Sequence, residues 1–485
     1  MTASARSRPL PQRPPATTSP VAGRPAPRAH TSAVPRGPQM RTANRTARVP
    51  AGMVAPGAVA KSSLGARVLA AREAASGRVV RGPERERHEP DHLLLVAIVA
   101  LAALGSLMIY SSGAGQIAWQ PDGNLLGTVL PDLSWTLLGL CVMLILLRID
   151  YRWLRMVSVP GYLAAVLLLV AVLLPGVGYE FGGSTRSLHL GSLPSIHPAE
   201  FAKLALVVYL AHWMARRGEA IGSFLHGMLP FLVLIAPVIL LVAVEPDLGT
   251  TGVLTLSAFT MFFVAGASVV QLLAMVPLGI VAVAIYVMHN AYQMNRITSF
   301  WDPLVLASTS GYHAAQGLLA LSLGGLMGSG LGQSRGPGGL NLPEASNDFI
   351  FALIGQELGL VGGVLVIGLF LFFAWRGVRI ALAAPDTFGA LLAVGITAWL
   401  TIQAFINIGV VLALLPVTGI TLPFVSSGGS SMVVSFAAVG ILLSISRETI
   451  SRGNTIDADP GSSGGNRRPH LPRLGRAPVA GPTAP

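Results

Sequence analysis

The sequence predicts an all-α, polytopic membrane protein: ten transmembrane helices between two polar tails. Three observations carry that prediction. Of 485 residues, 52% are hydrophobic and only 11% charged, with a mean hydropathy of +0.64, outside the range of a soluble domain of this size. The apolar residues fall in runs of roughly 17–25, the length a helix needs to cross a hydrocarbon core of about 30 Å. Backbone groups in hydrocarbon must be paired within the segment, so the runs read as helices rather than open strands.

Residues 1–90 carry fifteen Arg and one Lys against four Glu, which is the whole formal net charge of +12. Rich in Pro, Ala, Arg and Ser, this segment cannot bury enough surface to offset ordering entropy and reads as a disordered basic tail. A short helix over 64–75 is its one local alternative. Because the charge belongs to a tail, a nucleic-acid-binding face is not expected. Residues 448–485, with their Gly and Pro, read as a second disordered tail. The first apolar run starts only after residue 91, too late for a cleavable leader, and serves as an uncleaved first span. Cys141 is the only cysteine, which excludes an intramolecular disulfide and a Cys metal cluster.

Between the tails, in residues 91–447, the ten apolar cores are 93–111, 131–148, 157–175, 198–214, 227–245, 249–265, 270–288, 348–374, 387–410 and 429–446. Arg148, Arg152, Arg155, Arg216, Arg217, Arg376 and Arg379 fall in or beside connections on one side. The opposite connections are longer, yet hold only Arg186, Arg296 and Arg335. The positive-inside rule puts the first side and both tails in the cytoplasm. The 289–347 loop, between helices 7 and 8, then faces outward, which excludes ATP-driven chemistry there. Within it, Gly317–Gly325 is apolar but too short to span, and is expected to lie in the membrane interface.

Ionisable groups at the edge of hydrocarbon are costly and usually face a cavity or pathway. Asp348 is such a group, ending Leu342-Pro-Glu-Ala-Ser-Asn-Asp348 just before the run Phe349–Ile354. Two readings stand: a chemical carboxylate, or the N-cap of the following helix. Glu344 and Glu357 add acid nearby, Glu357 about two and a half turns into the helix. Glu200 and Lys203 share a helix face after Pro198, as a structural pair or as a buried ammonium awaiting an anionic ligand. In Val244-Glu-Pro-Asp-Leu-Gly-Thr250, Glu245 and Asp247 suit a cation, an Arg, or capping by Asp247. Gly328–Ser334 is either a flexible turn or a phosphate cradle. Leu415–Phe424 with Ser426–Ser431, including Ser430, suggests broken backbone at membrane depth, tolerated where protein or water covers it.

Taken in order, Gly182–Lys203, Glu245–Thr250, Gly317–Gly359 and Phe405–Ser431 resemble the SEDS family (shape, elongation, division and sporulation proteins), in its FtsW/RodA group, over residues 92–447. Gly328–Ser334 and Leu415–Gly419 look more like its division branch than its elongation branch. The sequence departs from the family pattern at Ser346-Asn347, in place of a common His-Thr. His197 stands for Gln, Ala199 for Ser, and His313 where Gln is frequent. The resemblance implies a multi-pass protein of the bacterial plasma membrane, active at the division septum. It implies a peptidoglycan glycosyltransferase that polymerises lipid II, with Asp348 as the essential loop carboxylate. Candidate substrate-binding residues are Arg186, Lys203, Arg296, Glu200, Glu245, Asp247, Glu344, Glu357 and Ser430. Of these, Arg186, Lys203 or Arg296 would meet the diphosphate, with a divalent cation (Mg or Mn) as a candidate helper and its ligands unassigned. Expected partners are lipid II, a class B penicillin-binding protein transpeptidase and other division proteins. The alternatives are a lipid II flippase and an elongation-type polymerase.

Overall fold

The structure, a computed structural model, describes residues 85–117, 125–174, 178–181, 184–188, 196–301, 303, 305–306, 311–333 and 345–450. The expectations for both tails up to those limits, for the helix at 64–75 and for Glu344 lie outside the described residues.

Twelve α-helices are present among the described residues, and ten coincide with the apolar runs of the sequence. These ten are α1 (His92–Ile117), α2 (Leu125–Arg148), α3 (Leu154–Leu173), α4 (Pro198–Arg217), α5 (Leu229–Val244), α6 (Leu248–Val264), α7 (Val269–His289), α10 (Ile350–Ala383), α11 (Thr387–Val411) and α12 (Ser430–Ser446). The other two, α8 (Ala291–Trp301) and α9 (Tyr312–Gly324), lie in the long loop. Seven helical stretches among the described residues are long and apolar enough to cross a membrane. The expected count of ten needs α4, which carries Glu200 and Lys203 within its length and Arg216 and Arg217 at its end, and the 17-residue α6 and α12 as well. At 1.5 Å per residue the two short helices reach about 25 Å, a little less than a hydrocarbon core of about 30 Å.

Local chemistry fixes several helix starts. Asp91 accepts from the Leu94 amide at 3.1 Å before α1, and Asp386 accepts from the Gly389 amide at 2.7 Å before α11. Ser268 and Gln271 form a reciprocal capping box on α7. Pro198 opens α4, where its missing N–H costs nothing. Inside the bundle α12 packs on α2, α10 on α11, α3 on α4, and α11 on both α4 and α6. Helix α7 stands apart: of its residues only Val287 is buried.

Two polar ends result. At one, Arg152 and Arg155 both meet Asp386, the latter at 2.7 Å, Arg152 also reaches Glu448, and Arg376 pairs with Asp91. Here β1 (Arg85–Arg87) pairs antiparallel with β4 (Glu448–Ile450), so the chain enters and leaves the bundle at this arginine-rich end. At the other end lie a hairpin of β2 (Gly178–Phe181) and β3 (Ser184–Leu188), the long loop, and the non-helical segment between α11 and α12. The Gly317–Gly325 stretch falls at the end of α9, where it buries Gly317, Ala320 and Gly324 against protein and leaves Leu319 and Leu323 exposed. Its small residues let α9 sit directly on α10.

Candidate functional site

Asp348 lies at the end of the bundle away from the arginine cluster, partly buried, immediately before α10. It is not the helix N-cap: that position is Phe349, with no side-chain cap. The first helical bonds run from the Ala352 and Leu353 amides to the Phe349 carbonyl, so the turn forms one residue later than a cap by Asp348 requires.

The backbone around Asp348 is held at three points. The carbonyls of three successive residues are each held by a donor from elsewhere in the chain. Ser346 O accepts from the Ser427 amide at 2.8 Å, Asn347 O from Ser426 Oγ at 2.7 Å, and Asp348 O from Asn407 Nδ2 at 2.8 Å. The donors come from α11 and from the segment after it, whose irregular backbone is paired inside protein, as membrane depth demands. Asn407 also donates to Ile420 O at 2.8 Å, and Gln403 Nε2 to Thr421 O at 3.0 Å. Ser426 Oγ accepts from the Leu422 amide at 2.8 Å, and Ser427 Oγ bonds Asp132 of α2. Phe424 holds a positive φ of 65° within this segment, a strained state that over-determined surroundings can hold.

The Glu200–Lys203 pair joins the same support. Lys203 is 1% exposed; its Nζ lies 2.8 Å from Glu200 Oε2 and 2.7 Å from Gln403 Oε1, over the Trp399 ring. Gln403 and Asn407 are one turn apart on α11, so the ammonium, the broken segment and the Asp348 carbonyl form one connected polar array. Ser430 accepts from the His197 amide at 3.3 Å, which ties the start of α12 to the start of α4.

The remaining candidates sit in other groups. Asp247 caps α6, accepting from the Thr250 amide at 2.9 Å and Thr250 Oγ1 at 2.8 Å. Both its oxygens are thus engaged, as the capping alternative has it. Glu245 ends α5 and is completely buried. Helix α8 is tied to this turn by Gln293 Nε2, 2.8 Å from Pro246 O, and carries Arg296, partly buried against Tyr292 at 2.5 Å. Glu357, 1% exposed, is turned towards Ser111 of α1. Arg186 falls in β3, where only its backbone is described. Among the described residues no group of three or more His, Cys, Asp or Glu side chains converges to hold a metal ion.

Sequence reasoning missed Asn407, Gln403, Ser426 and Ser427 as supports, Asp132 beneath them, and Ser111. A signal existed for the first two: paired amides four residues apart in an apolar span are expensive to leave unpaired. Chemically, the array offers one carboxylate with an immobilised backbone at a polar rim, while Arg296 belongs to the separate group around α8.

The chain is similar to known proteins over nearly its whole helical region. A sequence model of the family described as "Cell cycle protein", covering FtsW, RodA and SpoVE, matches residues 91–451. Stage V sporulation protein E of Bacillus subtilis is 40% identical over 362 residues, 75% of this chain and 98% of that one. The probable peptidoglycan glycosyltransferase FtsW of Geobacter metallireducens is 37% identical over 75% of this chain and 96% of its own. Among solved structures, a chain from a peptidoglycan synthase complex coordinating polymerization and crosslinking is 28% identical, with a TM-score of 0.59 over 74% of this chain and 98% of that one. The rod shape determining protein RodA of Thermus thermophilus is 28% identical with a TM-score of 0.55, over 74% and 97%.

Proposed function

Because the chain belongs to the cell cycle protein family of FtsW, RodA and SpoVE, we propose that it is a peptidoglycan glycosyltransferase polymerising lipid II during cell division, with Asp348 as general base. The 4-hydroxyl of an acceptor N-acetylglucosamine attacks the anomeric carbon of the donor N-acetylmuramic acid. The new C–O bond replaces the bond to undecaprenyl diphosphate, which leaves with its electron pair, and the hydroxyl proton passes to the Asp348 carboxylate. A positioned base contributes typically about 10²–10⁴-fold to such a step. The observation that carries the reading is the triple hold on the carbonyls of Ser346, Asn347 and Asp348, since a base must be fixed before its substrate arrives.

Negative charge grows on the diphosphate as the bond breaks and needs cations nearby. Lys203 already serves Glu200 and Gln403 in full burial, which favours Arg296, and Arg186 with it, as the phosphate contacts. Lys203 and Glu200 then act through Gln403, as the foundation of the site. The described residues form no metal cage, and no step here is routed through a metal ion.

The arginine-rich end, where the chain enters and leaves, is the cytoplasmic side by the positive-inside rule. Asp348 then faces outward, where glycan strands are built. A class B penicillin-binding protein is the partner this reading carries, supported by the likeness to a chain of a peptidoglycan synthase complex. The test is purified full-length protein given lipid II in detergent, and separately labelled lipid II in sealed vesicles. Glycan polymer is expected in the first. Translocation in the second, with no polymer in either, would make the protein a transporter.

A further inference from the structure

Helix α10 is broken at Gly359, whose φ of 69° and ψ of −165° are not helical. A break orphans the carbonyls before it and the amides after it, and in hydrocarbon these need partners. The loop after α9 supplies them. The Ser329 and Gly330 amides donate to Gln356 O at 2.9 Å and Glu357 O at 3.1 Å. In return the Leu360 and Val361 amides donate to Gly325 O at 3.0 Å and Leu326 O at 3.4 Å. The fit leaves no room for side chains: a Cβ on Gly328 would lie 2.1 Å from the Glu357 carbonyl oxygen. Loop backbone thus stands in for a missing turn of the helix that begins beside Asp348.

A side-chain latch closes over this splice. Glu357 Oε2 accepts from Ser111 Oγ at 2.5 Å. With its proton so committed, Ser111 Oγ accepts from the Gly332 amide at 2.7 Å. Ser111 is 3% and Glu357 1% exposed, so the bond between them is shielded from water, and the Gly332 bond is part-buried. Among the described residues Glu357 makes no ion pair, and its Oε1 makes no hydrogen bond.

We propose that Glu357 is a positioning residue: through Ser111 it pins the Gly325–Gly332 loop to α1 and to the break in α10, and so steadies the helix that begins beside Asp348. The proposal rests on Asp348 as the base, and it replaces a substrate-contacting role for Glu357. The latch needs an acceptor at Oε2 and not a charge. Gln offers that acceptor, and its amide nitrogen would occupy the place where Oε1 already has no described partner.

The test uses full-length protein in nanodiscs, with Glu357→Gln, Glu357→Leu, Ser111→Ala and the double variant Glu357→Leu/Ser111→Ala. Two readouts are taken: amide hydrogen exchange over 325–333 and steady-state lipid II polymerisation. Glu357→Leu and Ser111→Ala should each lower protection of the Gly332 region about tenfold, as expected for losing one hydrogen bond of the relay and leaving its partner unsatisfied. Each should lower kcat with KM little changed, and the double variant should be no worse than the poorer single, because one relay is broken once. Glu357→Gln should keep most of both. Gln failing as badly as Leu, or additive losses in the double variant, would overturn the latch. Should Glu357→Leu not fold, Ser111→Ala decides: unchanged exchange at Gly332 overturns the proposal. An Asp348→Asn control separates the two readings, since it should abolish polymerisation and leave exchange over 325–333 unaltered. If it stays active, the base assignment fails while the exchange results still judge the latch.

Discussion

Asn407 offers the sharpest view of how α11 serves Asp348. Its side chain is 1% exposed and donates from one nitrogen to two carbonyls, Asp348 O and Ile420 O, both at 2.8 Å. Asn407→Leu keeps the bulk and removes the donor. Leaving a buried acceptor unsatisfied costs about 1–3 kcal/mol, so the two together should destabilise this corner by about 2–6 kcal/mol. If half of that, about 1–3 kcal/mol, falls on the placement of Asp348, kcat should drop about 5- to 150-fold. KM should hold within about threefold, because contacts made equally in ground and transition states are untouched. Asn407→Asp should be worse than Leu, since it directs a carboxylate at two carbonyl oxygens. The assay is lipid II polymerisation by purified protein, with a thermal melt to confirm folding. A folded Asn407→Leu variant with unaltered kcat would refute the reasoning.

Two further outcomes test neighbouring groups. Lys203→Met leaves the Glu200 carboxylate buried without its cation and should cost about 3–5 kcal/mol in detergent melts. Adding Glu200→Gln should restore at least half of the lost stability, and no recovery would mean that Glu200 and Lys203 are not the coupled pair. Asp247→Ala should cost about 1 kcal/mol through loss of the α6 cap, whereas Asp247→Ser, which can still cap, should keep stability and polymerisation. An inactive but stable Asp247→Ser would show that the carboxylate meets substrate.

The helical frame was legible because hydrocarbon leaves the backbone few options, so each apolar run became a helix. Pro198 at the start of α4 and the Asp247 cap were legible for an equally local reason: helix ends are built from nearest neighbours. Asp348 stood out as a carboxylate at the rim, but its capping alternative depended on where the first turn forms, and that turn starts at Phe349. Which face of α9 meets protein, through Gly317, Ala320 and Gly324, is a tertiary fact that composition does not encode. The hold on Ser346, Asn347 and Asp348 comes from residues some sixty to eighty positions later, a separation no local pattern reports. The break at Gly359 was hidden because glycine in an apolar run reads as ordinary packing until a second backbone is seen to fill the gap.

The central claim is that the Asp348 carboxylate takes the acceptor's proton. Its most direct measurement is lipid II polymerisation by purified, full-length Asp348→Asn, compared with wild type at matched folding and substrate. Asn preserves size and leaves the backbone bonds to Ser426, Ser427 and Asn407 in place, so the variant should still fold. The account predicts a loss of about 10²-fold or more in kcat, the contribution of a general base. Polymer formed by the folded variant at the wild-type rate would contradict it.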